Sequence, residues 1–138
     1  PMTIDEMAAI HAAAFADGRP WDAAELRQLL RADGAFSVAA GRAFAIGRVT
    51  AGEAELLTLA TAPASRRRGL GRACLAAFID AAAARGAAEA FLEVAADNAP
   101  ALALYDAGGF DRVGRRKGYY RRHGAAPVDA IVMRRQIG

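Results

Sequence analysis

The sequence predicts a single domain of the α+β class, with helices and strands mixed along the chain in an α/β order. Three observations lead to this prediction. The chain has 138 residues, of which 54% are hydrophobic and 24% are charged, as in one ordinary globular domain. The spacing of its apolar residues changes between the helical and the strand period. No linker, repeat or low-complexity block divides it, and the expected element order is ααβββαβαββ.

Two capping boxes and a change of period predict the first half of the chain. Residues 3–6 and 22–25 each place a Thr or Asp three residues before a Glu, a pattern that starts helices. We expect the first helix to end before Gly18 and the second to end near Gly34. Three strand-like segments follow, separated by glycine-containing turns, which favours an antiparallel meander. These segments are residues 35–40, 42–50 and 53–61.

The second half alternates helices and strands. Apolar residues at helical spacing after Gly71 predict a third helix that ends at Gly86. Asn98 followed by Pro100 predicts the N-cap of a fourth helix, which stops at Gly108. The other apolar runs are strand candidates, and a basic loop is expected between the last two of them. They are residues 90–94, 110–113 and 130–137.

The charge of the chain is distributed unevenly. Eighteen Lys and Arg residues against fifteen Asp and Glu residues give a net charge of +3. Residues 111–138 hold eight basic and two acidic side chains, a net charge of +6, whereas the rest of the chain is mildly acidic. A second basic cluster comprises Arg66, Arg67, Arg68 and Arg72. Either cluster suits an anionic ligand, nucleic acid or a membrane surface, and composition does not choose among them.

Several classes of protein are not expected. The single cysteine, Cys74, rules out an intrachain disulfide and a cysteine-based zinc site. With only two histidines, His11 and His123, no metal site is expected, and both residues are expected at the surface or in a loop. No apolar run is long enough to span a bilayer, and the start of the sequence shows no targeting pattern. We therefore expect a cytoplasmic protein that binds neither metal nor membrane.

Residues 56–72 contain the first candidate site. A strand leads into a short basic loop with glycines, and this loop opens a helix whose first N–H groups lack partners within the helix. This arrangement predicts a phosphate or pyrophosphate site. The segment is neither a P-loop nor a dinucleotide-binding fingerprint, because both glycine patterns are incomplete. The alternative is a solvated basic loop with a glycine N-cap.

Residues 91–110 contain the second candidate site. Glu93 is a lone carboxylate within an apolar strand, where partial burial suits a general base. Tyr105 follows the Asn98 cap by about two helical turns, so its side chain is able to face the strand ends. The alternatives are an exposed strand position for Glu93 and an ordinary core aromatic for Tyr105.

These two segments together resemble the GCN5-related N-acetyltransferases, or GNAT family. Residues 66–71, Arg-Arg-Arg-Gly-Leu-Gly, match the family's Gln/Arg-x-x-Gly-x-Gly/Ala motif. The second conserved block of the family is matched in type and spacing by residues 92–94, 97–98, 103–105 and 109–110. The resemblance extends over nearly the whole chain. It includes Pro20-Trp21, Arg115-Arg116, Tyr119-Tyr120 and residues 129–133.

The resemblance implies a fold and a cosubstrate. Residues 1–138 would form one acetyltransferase domain, a mixed and mostly antiparallel sheet with helices on both faces and splayed fourth and fifth strands. Acetyl-CoA would enter where those strands separate, and no metal would be needed. The backbone of Leu59, Ala60 and Thr61 would pair with the pantetheine arm like an added strand, and Asn98 would contact the CoA arm. The pyrophosphate would be held at Arg66, Arg67, Arg68, Gly69, Leu70, Gly71 and Arg72.

It also implies catalytic roles. Glu93 would be the general base, directly or through water, and Tyr105 would protonate the departing CoA thiolate. The acceptor amine would attack directly, because Cys74 is interpreted as a small core residue and not as a nucleophile. Trp21, Tyr119 and Tyr120 would bind the acceptor.

Within the family, the likeness is greatest to bacterial enzymes that acetylate the N-terminal alanine of a small-subunit ribosomal protein. Two departures are visible. No strand is predicted before the first helix, where the family has one, and residues 117–123 contain an extra residue and more charge than the family pattern. Other acceptors remain open, namely a polyamine or an antibiotic, as does a non-catalytic CoA-binding or nucleotide-sensing module. DNA is not expected as a partner, and RNA contact by the basic tail stays open although no RNA-binding signature is present.

Overall fold

The computed structural model describes residues 2–14, 21–65, 69–122 and 124–137. Its helices are α1 (Ile4–Ala14), α2 (Ala23–Arg31), α3 (Leu70–Ala84) and α4 (Ala99–Ala107), with a 3-10 turn at Pro63–Ser65. Its strands are β1 (Ala35–Ala40), β2 (Ala43–Thr50), β3 (Glu53–Thr61), β4 (Glu89–Ala95), β5 (Asp111–Arg122) and β6 (Ala125–Gln136). The predicted element order and the α/β class are confirmed. None of the described helices is long and apolar enough to cross a membrane.

All six strands join in one mixed sheet with the order β1-β2-β3-β4-β6-β5. Strands β1, β2 and β3 form the predicted antiparallel meander. β3 and β4 are parallel, since α3 carries the chain from the end of one to the start of the other. β6 is antiparallel to both β4 and β5, so the sheet is mostly antiparallel.

The two parallel strands pair along only a short stretch. Their register joins Glu53 with Glu89, Ala54 with Ala90 and Glu55 with Phe91. β3 then continues for six more residues and β4 for four, without further pairs between them. On its other edge, β3 stays paired with β2 up to Thr61, although the register shifts at Ile46/Gly47. The facing edges of β3 and β4 are thus unpaired along their carboxyl-terminal halves.

Helices cover both faces of the sheet, as predicted. α3 and α4 pack on one face, in a core that includes Phe36, Phe78, Leu92, Val94 and Met133. α1 and α2 pack on the other face, around a smaller core. That core comprises Met7, Ile10, Leu26, Phe44, Ile46 and Ala60.

Both predicted capping boxes form. The Asp22 carboxylate accepts the Glu25 amide at 2.9 Å, and the Glu25 carboxylate accepts the Asp22 amide at 3.4 Å. Residues 3–6 make the equivalent pair of bonds at the start of α1. These reciprocal bonds satisfy amides that the first helical turn leaves without partners. They fix where both helices begin, on either side of the segment 15–20, which lies outside the described residues.

The last two strands are much longer than predicted. We expected strands at residues 110–113 and 130–137, and both are present, but the basic loop expected between them is wrong. β5 and β6 instead form a hairpin of two 12-residue strands. The sequence of β5 is typical of a loop, because residues 111–119 are all exposed and mostly charged. The apolar alternation of a half-buried strand is therefore missing. An exposed edge strand tolerates this composition.

Candidate functional site

Glu93 projects from β4 on the face opposite α3. Its neighbours Leu92 and Val94 are buried in the core beneath α3, so alternation along the strand directs Glu93 to the other face. The carboxylate is half-buried, with 28% of the side chain exposed, and its Oε1 lies 3.1 Å from Nη2 of Arg116. The predicted base is therefore a partly desolvated carboxylate with one charged partner from β5.

A cavity of about 460 Å³ opens beside Glu93. Its walls come from the end of β2, the start of β3 and the neighbouring strands, so it lies where β3 and β4 pair. Phe91 and Val132 supply apolar surface, and ionised side chains of both signs surround it. The polar lining residues are Arg48, Thr50, Glu53, Glu55, Glu93 and Arg116.

Arg116 also contacts the aromatic pair of β5. Its guanidinium lies over the ring of Tyr119, 5.3 Å from the centroid. The Tyr119 and Tyr120 rings meet edge to face at 5.1 Å, and Tyr119 is 51% exposed. Arg116 thus connects Glu93 with Tyr119, and Tyr120 contacts Tyr119 in turn. Sequence reasoning did not assign Arg116 a role, because nothing in the sequence joins it to a residue 23 positions earlier.

Much of the positive charge of the last two strands is paired with carboxylates. Arg112 contacts Asp106 at 3.0 Å, and Arg115 contacts Asp129 at 3.1 Å. Arg134 on β6 pairs with Glu89 on β4, in the same way that Arg116 pairs with Glu93. The net charge of +6 counted for residues 111–138 therefore overstates the local potential, since three of these four carboxylates belong to the preceding part of the chain.

Tyr105 lies on α4, in the core on the face of the sheet opposite Glu93. It is buried in the core under α3 and contacts Phe110 edge to face at 6.1 Å. Burial raises the pKa of its phenol well above the ordinary value, and the nearby Cys74 thiol and Tyr120 phenol raise it further. Tyr105 therefore keeps its proton at any physiological pH and remains an O–H donor.

Cys74 is confirmed as a core residue. The side chain is fully buried in α3, and its Sγ lies 4.0 Å from the carbonyl oxygen of Val38. Burial raises the pKa of the thiol to about 12, so the nucleophilic thiolate is not formed at neutral pH.

The amino end of α3 has the features expected of an anion site. Gly69 is the N-cap in the left-handed conformation with φ of 74°, and no side chain of a described residue caps the helix. The amide of Ala73 bonds to the carbonyl of Gly69, so the amides of residues 70–72 have no partner within the helix. Gly71 and Arg72 lie in this first turn, and Arg72 is exposed. Arg66, Arg67 and Arg68 lie outside the described residues.

The other predicted cofactor residues occupy the end of β3 and the start of α4. Leu59, Ala60 and Thr61 pair with β2 on one edge, while their other edge lies beyond the short ladder with β4. Asn98 is exposed and caps α4 as predicted, accepting the amide of Ala101 at 3.2 Å. Its side-chain oxygen thus already accepts one hydrogen bond, and its amide nitrogen offers two N–H donors to a ligand.

His11 contradicts the expectation that it lies at the surface or in a loop. It is only 5% exposed, in the last turn of α1, and stacks on the Trp21 ring. Its place on the buried face was readable from the sequence, since Met7, Ile10, His11 and Ala14 have helical i, i+3, i+4, i+7 spacing. His123 lies outside the described residues. Within the described ranges, no group of three His, Cys, Asp or Glu residues is arranged to hold a metal ion.

Comparison with known proteins adds independent observations. The model of the acetyltransferase (GNAT) family matches residues 7–110. The chain is 45% identical over 91 residues to the [ribosomal protein bS18]-alanine N-acetyltransferase of Escherichia coli K12, covering 66% of this chain and 61% of that protein. It is 46% identical over 93 residues to the N-alpha-acetyltransferase RimI of Mycobacterium tuberculosis, covering 67% of this chain and 55% of that protein. The matches thus span less than two thirds of these relatives.

A solved structure resembles the whole described fold. The crystal structure of the ribosomal-protein-S18-alanine N-acetyltransferase from Escherichia coli superposes with a TM-score of 0.86 at 34% sequence identity. The superposition covers 98% of this chain and 88% of that one.

Proposed function

We propose that this chain, which belongs to the acetyltransferase (GNAT) family, transfers the acetyl group of acetyl-CoA to the N-terminal α-amine of a protein. The proposed acceptor is the N-terminal alanine of a small-subunit ribosomal protein, and the proposed location is the cytoplasm. Residues 1–138 are taken as one catalytic domain. The observation that carries the proposal is the half-buried carboxylate of Glu93, set beside a cavity at the place where β3 and β4 stop pairing.

The described residues fit acetyl-CoA. The unpaired edge of Leu59–Thr61 offers backbone donors and acceptors to the amides of a pantetheine arm. The free amides at the start of α3 suit a pyrophosphate, and a left-handed Gly69 without a Cβ lets it approach closely. When bound, acetyl-CoA supplies an activated thioester that an amine is able to attack.

Glu93 is proposed to remove the proton of the acceptor ammonium. An α-amine has a pKa of about 7.7–8.0, so much of it is protonated and non-nucleophilic near neutral pH. A carboxylate at the cavity wall both attracts the ammonium and accepts its proton. Arg116 keeps the carboxylate pointed at the cavity from the β5 side.

Tyr105 is proposed to protonate the departing thiolate. The raised pKa keeps its O–H intact, so it donates without first having to gain a proton. Cys74 takes no covalent part because its thiol stays protonated and buried. The reaction is therefore direct transfer from thioester to amine.

The acceptor proposal rests on the similarity to the two relatives and on the exposed aromatic pair. Tyr119 contacts Arg116, the ion-pair partner of Glu93, and Tyr120 contacts Tyr119. Trp21 lies just before α2 and stacks on His11 of α1. Pairing of the hairpin arginines with carboxylates lessens the repulsion that a basic ribosomal protein would otherwise meet.

A panel of acceptors tests the proposal. CoA release is measured with peptides that begin with alanine, with the same peptides blocked by an N-terminal acetyl group, and with polyamines and aminoglycosides. Turnover restricted to unblocked peptides supports protein N-terminal acetylation. Turnover on the small amines alone would overturn this proposal in favour of small-amine acetylation. CoA binding without any turnover would indicate a non-catalytic CoA-binding module.

A further inference from the structure

His11 on α1 contacts both Trp21, just before α2, and Thr58 on β3. The backbone amide of Trp21 donates to Nδ1 of His11 at 3.2 Å, and the two rings stack with centroids 5.3 Å apart and planes 11° from parallel. On the other side of the ring, Nε2 lies 3.3 Å from the hydroxyl of Thr58 on β3. One imidazole therefore connects the start of α2 to the sheet.

These contacts require the neutral ring. Because the Trp21 amide is a donor, Nδ1 has to present its lone pair, and the single proton of the neutral ring sits on Nε2. Nε2 then donates to the Thr58 hydroxyl. A proton added at Nδ1 would face the Trp21 amide donor to donor and break that bond.

Thr58 connects this network to the cofactor strand. It lies at the register shift between β2 and β3, immediately before Leu59–Thr61. Thr58 is buried, so its hydroxyl depends on partners within the protein. The position of Trp21 is thus tied through His11 to the strand segment proposed to carry the pantetheine arm.

Among the described residues, few charged groups face His11 from the elements packed around α1. α2 presents Glu25, while β3 presents the uncharged Thr58, and the 3-10 turn Pro63–Ser65 has no charged residue. Asp5, which pairs with Arg27, and Glu6 lie at the far end of α1. Burial lowers the pKa of His11 below its ordinary value, and Glu25 opposes this shift in part. The ring is therefore neutral at pH 7, as the hydrogen bonds require.

We propose that His11 is a positioning residue for the acceptor side of the site: its neutral imidazole holds Trp21 in place, and protonation releases it. The proposal rests on the proposed function insofar as Trp21 contacts the acceptor. The His11–Trp21 contact itself is independent of any activity. Protonation of His11 should therefore weaken acceptor binding in mildly acid solution. This effect is separate from protonation of the acceptor amine or of Glu93.

The intrinsic fluorescence of the intact chain tests the contact, because Trp21 is its single tryptophan. An imidazolium against an indole quenches its emission more strongly than a neutral imidazole does. We expect emission to change as the pH falls below about 6.5, and this transition to disappear in His11→Asn. The matched control is His123→Asn, which removes the other histidine and should keep the transition. A transition that survives in His11→Asn, or none in the wild type, overturns the proposal.

Steady-state kinetics at pH 7.5 test the positioning role. Losing one neutral hydrogen bond should raise the KM for an alanine peptide about fivefold in His11→Leu, with kcat and the KM for acetyl-CoA unchanged. Asn carries an oxygen near the place of Nδ1, so His11→Asn should restore the low KM and remove its pH dependence. If His11→Leu does not fold, His11→Gln takes its place.

Equal acceptor KM values in all three proteins would overturn the positioning role, as would a fall in kcat without a change in KM. Should the wild type acetylate no peptide, the proposed function fails, whereas the fluorescence titration still decides whether His11 controls Trp21. The two failures are thus distinguishable.

Discussion

Arg116 joins Glu93 to Tyr119. Its guanidinium lies 3.1 Å from the carboxylate and 5.3 Å from the centre of the aromatic ring. The arginine side chain is 57% exposed, so the ion pair is partly screened by solvent and easily exchanged for another cation. An incoming ammonium is such a cation. The pair therefore orients the carboxylate before the acceptor arrives without holding it too tightly to accept a proton.

Replacing Glu93 by Gln keeps the size of the side chain and removes its basicity. We expect the rate of acetyl transfer to fall by about 10²–10⁴-fold at pH 7. The loss should be smaller above pH 9, where the acceptor amine has already lost its proton. The pH profile of kcat/KM, measured for wild type and variant side by side, checks this. A profile parallel to that of the wild type would remove Glu93 from the role of base.

Arg116→Gln tests the positioning of the base. Loss of the ion pair and of the contact with Tyr119 should lower kcat/KM for the peptide several-fold, because each contact contributes about 1 kcal/mol or less. Arg115→Gln is the matched control, since Arg115 is the adjacent arginine and pairs with Asp129 instead. Equal kinetics for the two variants would show that Arg116 contributes only surface charge.

Tyr105→Phe removes the proposed proton donor with little change in shape. We expect kcat to fall by about 10²-fold or more, with the affinity for CoA unchanged. Raising the pH should not restore the rate, in contrast to Glu93→Gln, because the defect concerns the leaving thiolate and not the amine. Rapid-quench measurement of the chemical step, together with CoA titration, separates the two effects. A kcat equal to that of the wild type would assign Tyr105 to the core alone.

His11 makes stability depend on pH. Its pKa in the folded chain lies below the ordinary value of 6.5, so the unfolded chain binds the proton more readily. The stabilisation is complete above pH 6.5 and is lost as the pH falls through 6.5 towards the lower folded value. Urea unfolding at pH 7.5 and pH 5.5 should therefore show a larger fall in the free energy of unfolding for wild type than for His11→Asn. An equal fall in both would contradict this assignment.

Local signals predicted most of the fold. Capping boxes, glycine turns and apolar periods operate over a few residues, and they placed every helix and the meander near their observed positions. The length of the β5–β6 hairpin was not predicted, because its strands are held by pairing with each other and with β4. The exposed side chains of β5 carry no periodic signal. The composition of a segment does not show which distant segment it pairs with.

The residues of the site likewise fall into those that local signals predicted and those that depend on distant partners. Glu93 and Tyr105 were identified because each is an unusual residue type in its own element and because the family motif contains them. Arg116 and His11 were missed as functional residues, since their importance comes from partners 23 and 10 positions away. His11 also shows that a buried polar residue on an apolar helix face deserves a search for its hydrogen-bond partners.

The central claim is acetyl transfer to an N-terminal α-amine, and mass spectrometry of the product tests it most directly. A peptide that begins with alanine and also contains an internal lysine is incubated with the chain and acetyl-CoA labelled in the acetyl group. We predict a single label on the alanine nitrogen, formed by wild type and greatly reduced in Glu93→Gln. Label on the lysine, or no label on any alanine peptide, would contradict the claim.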